Sequence, residues 1–478
     1  MTFEELEQQW LLGALSDTVL FETLFSEHLL YELFYRSFAR TTGKGIDRLN
    51  GFQYAMRAAD ELAIASKKCI AGSYRFAPYL EVLKNKGRNK EPRVIGIPTI
   101  RDRVILSQLN RFLALVFPER VPRNVASTYV RQIAQEFESV PHDDLSVCST
   151  DIKKFYDCIQ RARLQALLAK RIKCKAALSL LSHALQAPTV PKNTKRARHN
   201  EFRQAVGVPQ GLAISNILAS IYMQPIDEAM AAKGVSYYRY VDDVLMFGEA
   251  GAVVAAFTSL RNRLRLRGLG LHSLTSGKSQ IEEFGKPFGY LGYLFIGEKI
   301  TVRDSTVERF IQSIAAKFSD FTHNKVRRLQ RFTYLTEERL AEIFMMELNE
   351  RITGAIRGER RYGWIAYFSQ INDLSLLHTL DHTIANLFKR LNEFGNVEPP
   401  SLRKLRRAYW EMKFNPRGGY IRDYDKIKTR AEKLTFLVER GRVSPTDALT
   451  DLEIDTIYEK YVDHILAAMH ADEGAVYS

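Results

Sequence analysis

The stretch Tyr237-Tyr238-Arg239-Tyr240-Val241-Asp242-Asp243-Val244-Leu245-Met246-Phe247 sets two adjacent aspartates inside a run of aromatic and β-branched residues. Such a run reads as a buried β-hairpin. In a straight strand, neighbouring side chains point to opposite faces, so two carboxylates acting on one side need a turn, placed here at Val241-Asp242-Asp243. The flanks are too apolar for the pair to serve solubility. Buried carboxylates repel each other and lose hydration unless a cation joins them. Mg²⁺ suits that role because it takes a few carboxylates together with substrate phosphates. The competing reading is a surface turn with a chance Asp-Asp, and the rest of the chain decides between them.

A second stretch, Leu145 to Asp157, runs as an apolar strand that ends in Asp151, with Phe155 and Tyr156 ahead of a helix. Packing explains a carboxylate at the end of a core strand poorly. Metal ligation explains it well, with the Ile152 carbonyl as a further oxygen, while Asp157 reads as a helix N-cap. A third stretch, Val206 to Asn216, is a turn bounded by Gly207, Pro209 and Gly211 that leads through Gln210 into a helix with Ser215 and Asn216 in its first turn. Glycine lets backbone approach a ligand closely, and a helix start with small polar residues suits a base pair or phosphate.

The chain is 478 residues long, enough for two or three domains, and 46% hydrophobic, as folded globular proteins are. A net charge of +14 with pI near 9.4 points to a polyanionic partner, nucleic acid before membrane surface. The four cysteines form no CxxC pair and suggest reduced thiols in a cytoplasmic protein. The acidic start, Met1 to Glu7, has no signal-peptide pattern, and no apolar run reaches the length of a membrane span.

Residues 1–40 read as helical with an apolar stripe, either a packing cap or a self-association surface. Extended segments at 72–83 and 93–98 flank the basic loop 84–92, a hairpin that suits triphosphate or template backbone. Residues 161–203 are basic and helical, with a loop carrying Lys195 and Arg196 as candidates for backbone contact. Arg361 lies in a mixture of cations and aromatics at 357–368, which suits stacking and phosphate contact or else a packed helix start. Pro399-Pro400 marks a linker, beyond which Arg403 and Arg406 open a basic helix and add two further candidates for nucleic-acid contact.

Taken in order, Arg93 to Arg103, Asp151 to Tyr156, Pro209-Gln210-Gly211, Tyr240-Val241-Asp242-Asp243, Gly277-Lys278 and Phe288 to Gly292 resemble the motif series of bacterial reverse transcriptases. The first of these is similar to group II intron enzymes. The resemblance implies an α+β right-hand polymerase with fingers, a ferredoxin-like palm and a helical thumb, with helical additions at both ends. The implied divisions are 1–40 as an N-terminal extension, 41–300 as fingers and palm, 301–395 as thumb and 396–478 as a C-terminal module. It implies that Asp151, Asp242 and Asp243, with Ile152, hold two Mg²⁺ ions for phosphoryl transfer. It also implies that Tyr156 excludes the ribose 2′-OH and that Gln210 and Gly211 line the incoming nucleotide and template base. Arg93 holds the triphosphate, with Lys84 or Arg101 as helpers, and Lys278 stands near the pyrophosphate. The implied partners are an RNA template, a DNA product and deoxynucleoside triphosphates, with self-assembly open. The stretch beyond about 395 shows neither an HNH cluster nor ribonuclease H acidic spacing. The implied subclass is therefore the retron or unknown-group type, copying a dedicated non-coding RNA in antiphage defence. A maturase-like splicing cofactor is the alternative.

Overall fold

The computed structural model describes residues 2–85, 91–122 and 124–473. The tip of the expected basic hairpin, 86–90, lies outside the described residues. The chain divides into two compact units, one formed by Met1–Asn124 with Asp144–Glu282, the other by Val125–Asp143 with Glu283–Ser478.

In the first unit, β1 (Tyr79–Lys84) and β2 (Arg93–Ile97) form the expected antiparallel hairpin, with Leu80 opposite Ile97 and Lys84 opposite Arg93. The main sheet is built from β3 (Leu145–Asp151), β5 (Ser236–Tyr240), β6 (Asp243–Glu249) and β7 (Gln280–Glu283), while the two-residue β4 (Thr189–Val190) joins β1 instead. The strand order is β5-β6-β3-β7. Helices Ser215–Ala231 and Ala250–Leu266 supply the two crossovers, so the chain runs βαββαβ with the last-entering strand beside the first, as in a ferredoxin-like sheet. The apolar composition of β3 and β6 follows from their central position. Leu145 to Thr150 and Val244 to Phe247 are buried, and burial falls away at Asp151 and Asp243 at one end and at Gly248 and Glu249 at the other.

The N-terminal helices Phe3–Leu11, Asp17–Leu24 and Glu27–Ser37 bring Leu20, Leu24, Leu30 and Phe34 into the same core as Leu62, Leu109 and Phe112. The leucine stripe at 20–34 is thus a packed face, whereas Leu11 and Leu12 stay exposed.

In the second unit, β8 (Pro287–Tyr290), β9 (Tyr293–Ile296) and β10 (Lys299–Val302) make an antiparallel meander in which Phe288 stacks on Phe295. The long helix Asp304–Arg331 packs Phe310 on Trp364 and Phe318 on Phe388. A small sheet of β11 (Ala355–Arg357), β12 (Arg360–Tyr362) and β13 (Arg422–Asp423) ties the segments on either side of Pro399 together. Helices Arg430–Glu439 and Asp451–Asp472 close over it with Phe436, Leu437, Tyr458 and Val462. Among the described residues no helix is long and apolar enough to cross a membrane.

Candidate active site

The site is built where burial ends at one end of the central strands. Asp151 stands directly opposite Asp243 in the β3–β6 ladder. Facing residues of an antiparallel pair share one face of the sheet, so these two carboxylates leave the sheet on the same side. Asp242 lies one residue earlier, in the turn, and its carbonyl accepts the Ile152 N–H at 3.0 Å. The turn is possible because Val241 adopts φ of +56°, a left-handed conformation that a β-branched residue rarely takes. Arg239 braces it. Its guanidinium donates to the Val241 carbonyl at 2.8 Å and, as a fork, to both oxygens of Asp227 at 2.7 and 2.6 Å. The Tyr237 hydroxyl donates to the same carboxylate at 3.0 Å.

Two basic side chains approach Asp151, the cationic Lys278 and the imidazole of His272. Lys278 Nζ is 4.0 Å and His272 Nε2 is 3.6 Å from its Oδ2. The His272 backbone N–H also donates to the Asp151 carbonyl at 3.2 Å, and the Ser279 hydroxyl links the His272 carbonyl to Thr150. Burial, then Lys278, holds the imidazole below its ordinary pKa, while Asp151 pulls the other way.

Tyr156 and Gln210 are stitched into one substructure. Val208 N–H donates to the Tyr156 carbonyl and Gly207 N–H to that of Ile159, both at 2.8 Å. Gln210 Nε2 donates to Asp157 at 3.2 Å. Asp157 therefore is not the N-cap expected of it. It lies inside the short helix Phe155–Cys158, which begins after Lys154. The Tyr156 hydroxyl donates to Asn216 Oδ1 at 2.5 Å. Burial pushes its pKa up and the negative Asp242 adds to this, against Arg93 and Arg239. The Gln210 carbonyl accepts from Gly96 at 2.8 Å, which joins the hairpin to the turn. Gly211, at φ of +97°, lies so close to Ile95 and Gly96 that a Cβ would meet them at 2.7 and 2.9 Å.

Lys84 and Arg93 face each other across the hairpin, and burial followed by Arg93 lowers the Lys84 pKa. Like charges placed opposite one another weaken a hairpin unless an anion joins them. Arg101, named as a helper, is committed elsewhere: its Nε donates to the Tyr74 hydroxyl, itself bonded to the fully buried Asp102.

The other cationic candidates fall apart into separate places. Lys195 and Arg196 are exposed beside the short helix Arg196–Phe202. Arg361 is exposed and donates to the Met412 carbonyl at 2.8 Å, whereas Trp364 and Phe368 nearby are core residues. Arg403 is half-buried over the Tyr420 ring, and Arg406 is exposed against His378.

Residues 82–295 match the family model described as reverse transcriptase (RNA-dependent DNA polymerase). The chain carries a reverse transcriptase domain. Its fold class is the expected one, α+β of the right-hand polymerase type with a ferredoxin-like palm sheet and helical additions. Protein YkfC of Escherichia coli (strain K12) is 25% identical over 204 residues, covering 40% of this chain and 51% of that one. An uncharacterized 91 kDa protein in the cob intron of Schizosaccharomyces pombe is 29% identical over 164 residues, covering 32% of this chain and 19% of that one. The chain thus spans about half or less of the curated relatives it matches. Telomerase from Candida albicans, solved with a fragment of telomeric RNA, aligns with a TM-score of 0.40 at 11% identity, over 88% of this chain and 68% of that one, too distant to carry weight.

Among the described residues no three His, Cys, Asp or Glu side chains form a cage for a metal ion. The donor set of the reverse transcriptase domain still fits Mg²⁺. That ion keeps waters and substrate phosphates and needs only one or two carboxylates from protein, which the facing pair Asp151 and Asp243 offers. Sequence reasoning missed His272, Asp227 and the brace role of Arg239. An Arg two residues before Val241 was visible, but its partner Asp227 lies twelve residues from it on another element.

Proposed function

We propose that the protein is an RNA-directed DNA polymerase that extends a primer 3′ end with deoxynucleotides. What carries the reading is the facing pair Asp151 and Asp243, with Asp242 in the braced turn between them and Tyr156, inside a reverse transcriptase domain. Asp151, Asp242 and Asp243, with the Ile152 carbonyl, would hold two Mg²⁺ ions, which when bound lower the pKa of the primer hydroxyl and neutralise the leaving pyrophosphate. Arg93 and Lys84 bind the triphosphate from the hairpin. Lys278 stands beside Asp151 to meet the pyrophosphate. Tyr156, held by Asn216, excludes a 2′-OH, and Gln210 and Gly211 shape the floor under the new base pair. Phosphoryl transfer asks mainly for positioning and charge neutralisation, which is what these residues offer.

The finer reading is a retron or unknown-group enzyme that copies a dedicated non-coding RNA in antiphage defence, in the cytoplasm, with self-assembly left open. It rests on the motif resemblance. The proposed division of labour keeps 1–40 as extension, 41–300 as fingers and palm, 301–395 as thumb and 396–478 as a C-terminal module, with Lys195, Arg196, Arg361, Arg403 and Arg406 contacting nucleic acid. The test is incorporation of labelled deoxynucleotides on a primed RNA in Mg²⁺, beside Asp242→Ala. Loss of incorporation in the variant, with folding and RNA binding retained, is expected; equal incorporation by both proteins overturns the assignment.

Similarity to a protein encoded in the cob intron favours a second reading, a maturase-like splicing cofactor. In that case Asp242→Ala leaves intron splicing unchanged.

A further inference from the structure

The helix Leu405–Phe414 has one face that its packing does not explain. Leu405, Ala408, Glu411 and Met412 turn inward and are buried. Arg406, Trp410, Lys413 and Phe414 turn outward. Trp410 is 53% and Phe414 63% exposed, although large aromatic side chains normally bury most of their surface. One helical turn apart, the two rings lie 5.7 Å centroid to centroid at 48°, an open ledge rather than a closed stack. Lys413 Nζ stands 5.7 Å from the Phe414 ring, and the Arg407 guanidinium lies over Tyr420 at 4.5 Å. The acids nearby are engaged. Glu411 is buried and receives Arg407 and Asn415, and Asp381 accepts the N–H groups of Leu405 and Arg406 at the helix start.

We propose that Trp410 and Phe414 are a stacking platform for unpaired bases of a single-stranded nucleic acid, whose phosphates lie against Arg406 and Lys413. Exposed aromatics also serve protein interfaces. The exposed charges of the stripe, Arg406 and Lys413, are of one sign and the whole chain carries +14, which favours a polyanion over the mixed-charge rim of a protein interface. Alternating aromatic and basic side chains are the recognised chemistry for single strands, since every base has a π-face and every linkage a charge. A duplex hides the base faces and offers this ledge only phosphates. The platform does not depend on the polymerase reading, because no residue of it belongs to the aspartate site.

Trp410 reports on its own occupancy. Of the three tryptophans, Trp364 is buried and Trp10 is half-buried, with its indole donating to the Leu115 carbonyl. The full-length protein, with its Asp242→Ala variant alongside, is titrated with oligo-uridine, oligo-thymidine, an abasic deoxyribose phosphate oligomer of the same length, and a duplex. Fluorescence and anisotropy are read together. The expected result is that single strands quench the exposed tryptophan, while the abasic oligomer and the duplex do not. Trp410→Ala should weaken single-strand binding about ten-fold, which is about 1.4 kcal/mol. Trp410→Phe should keep most of the affinity. Preference for oligo-uridine or for oligo-thymidine supports the platform either way and names its strand. Equal affinity for the abasic oligomer, or single-strand affinity unchanged in Trp410→Ala, overturns the proposal, and the face would then belong to a protein partner. Should Trp410→Ala lower the melting temperature, acrylamide quenching of the unaltered protein decides: protection by a single strand is expected, and none overturns it. Asp242→Ala should bind single strands like the unaltered protein, so failure of the platform and failure of the polymerase reading are separable.

Discussion

Tyr156 shows how one residue's role follows from what fixes it. Its hydroxyl is bonded to Asn216 and its backbone carbonyl to Val208, so the ring is held at two points. Tyr156→Ala removes the bond to Asn216 but keeps the backbone bond to Val208, and should raise ribonucleotide use at the expense of deoxynucleotide selectivity, read as the ratio of kcat/KM for the two sugars at a temperature where the variant is folded. An unchanged ratio removes Tyr156 as the gate. Arg239 acts at one remove, through the turn that carries the aspartates. Lysine keeps its charge but not the planar fork that reaches Asp227 and Val241 together. Arg239→Lys should lose charge-assisted hydrogen bonds worth about 1.5–3 kcal/mol each. It should lower kcat with little change in nucleotide KM. A fall in KM affinity alone would mean the brace touches nucleotide binding and not the aspartates.

At the scale of elements, the site depends on segments that touch by backbone. The Gly207 to Gly211 turn lies against the Tyr156 segment on one side and strand β2 on the other. Gly211 has both a positive φ and no room for a Cβ beside Ile95 and Gly96. Gly211→Ala should cost about 1–3 kcal/mol of stability and depress activity further than the lost stability explains, checked by melting temperature and by incorporation at a temperature where the variant is folded. The motif order and strand identities were legible because apolar runs, Gly-Pro turns and the lone carboxylate ending β3 each have a local cause. The links were not. Asp157 as the anchor of Gln210, and His272 beside Asp151, arise from residues 53 and 121 positions apart, and no local signal marks such pairs.

At the scale of the molecule, the second unit is held by half-buried and buried ion pairs as well as aromatics. Burial raises the Glu347 pKa, yet Lys317, Arg442 and Tyr461 together overcome it and hold the carboxyl at about 2. A depressed carboxyl stabilises the fold above its unfolded pKa, about 4.3 for Glu, and that stabilisation is lost as pH falls towards 2. The contribution is on the order of 3 kcal/mol. Glu347→Gln should accordingly lower stability near neutral pH and flatten its loss between about pH 4 and pH 2. Chemical denaturation across that range is the check, and an unchanged acid profile would remove Glu347 as its source. Arg440 and Glu350, both buried, pair in the same unit and join it to Arg422 and Tyr424. Lys433 does likewise with Asp455. Glu350 lies before Pro399 and its partners Arg422, Tyr424 and Arg440 after it, so the linker expected there separates segments that share one core.

By itself the sequence determined the hydrophobic periods, a turn at Val241-Asp242, the order of motifs and a basic net charge, although the turn expected to run through Asp243 ends before it, since Asp243 opens β6. Each follows from neighbours along the chain, where side-chain alternation and glycine freedom act directly. Only the tertiary structure decided that Asp151 faces Asp243, that Arg239 braces the turn through Asp227, that Arg101 is tied to Tyr74, and that Trp364 is core while Trp410 is open. Register between strands and the exposure of a helix face depend on which distant segment covers which. Burial energy summed over the whole chain sets that choice, and a string of residues does not carry it.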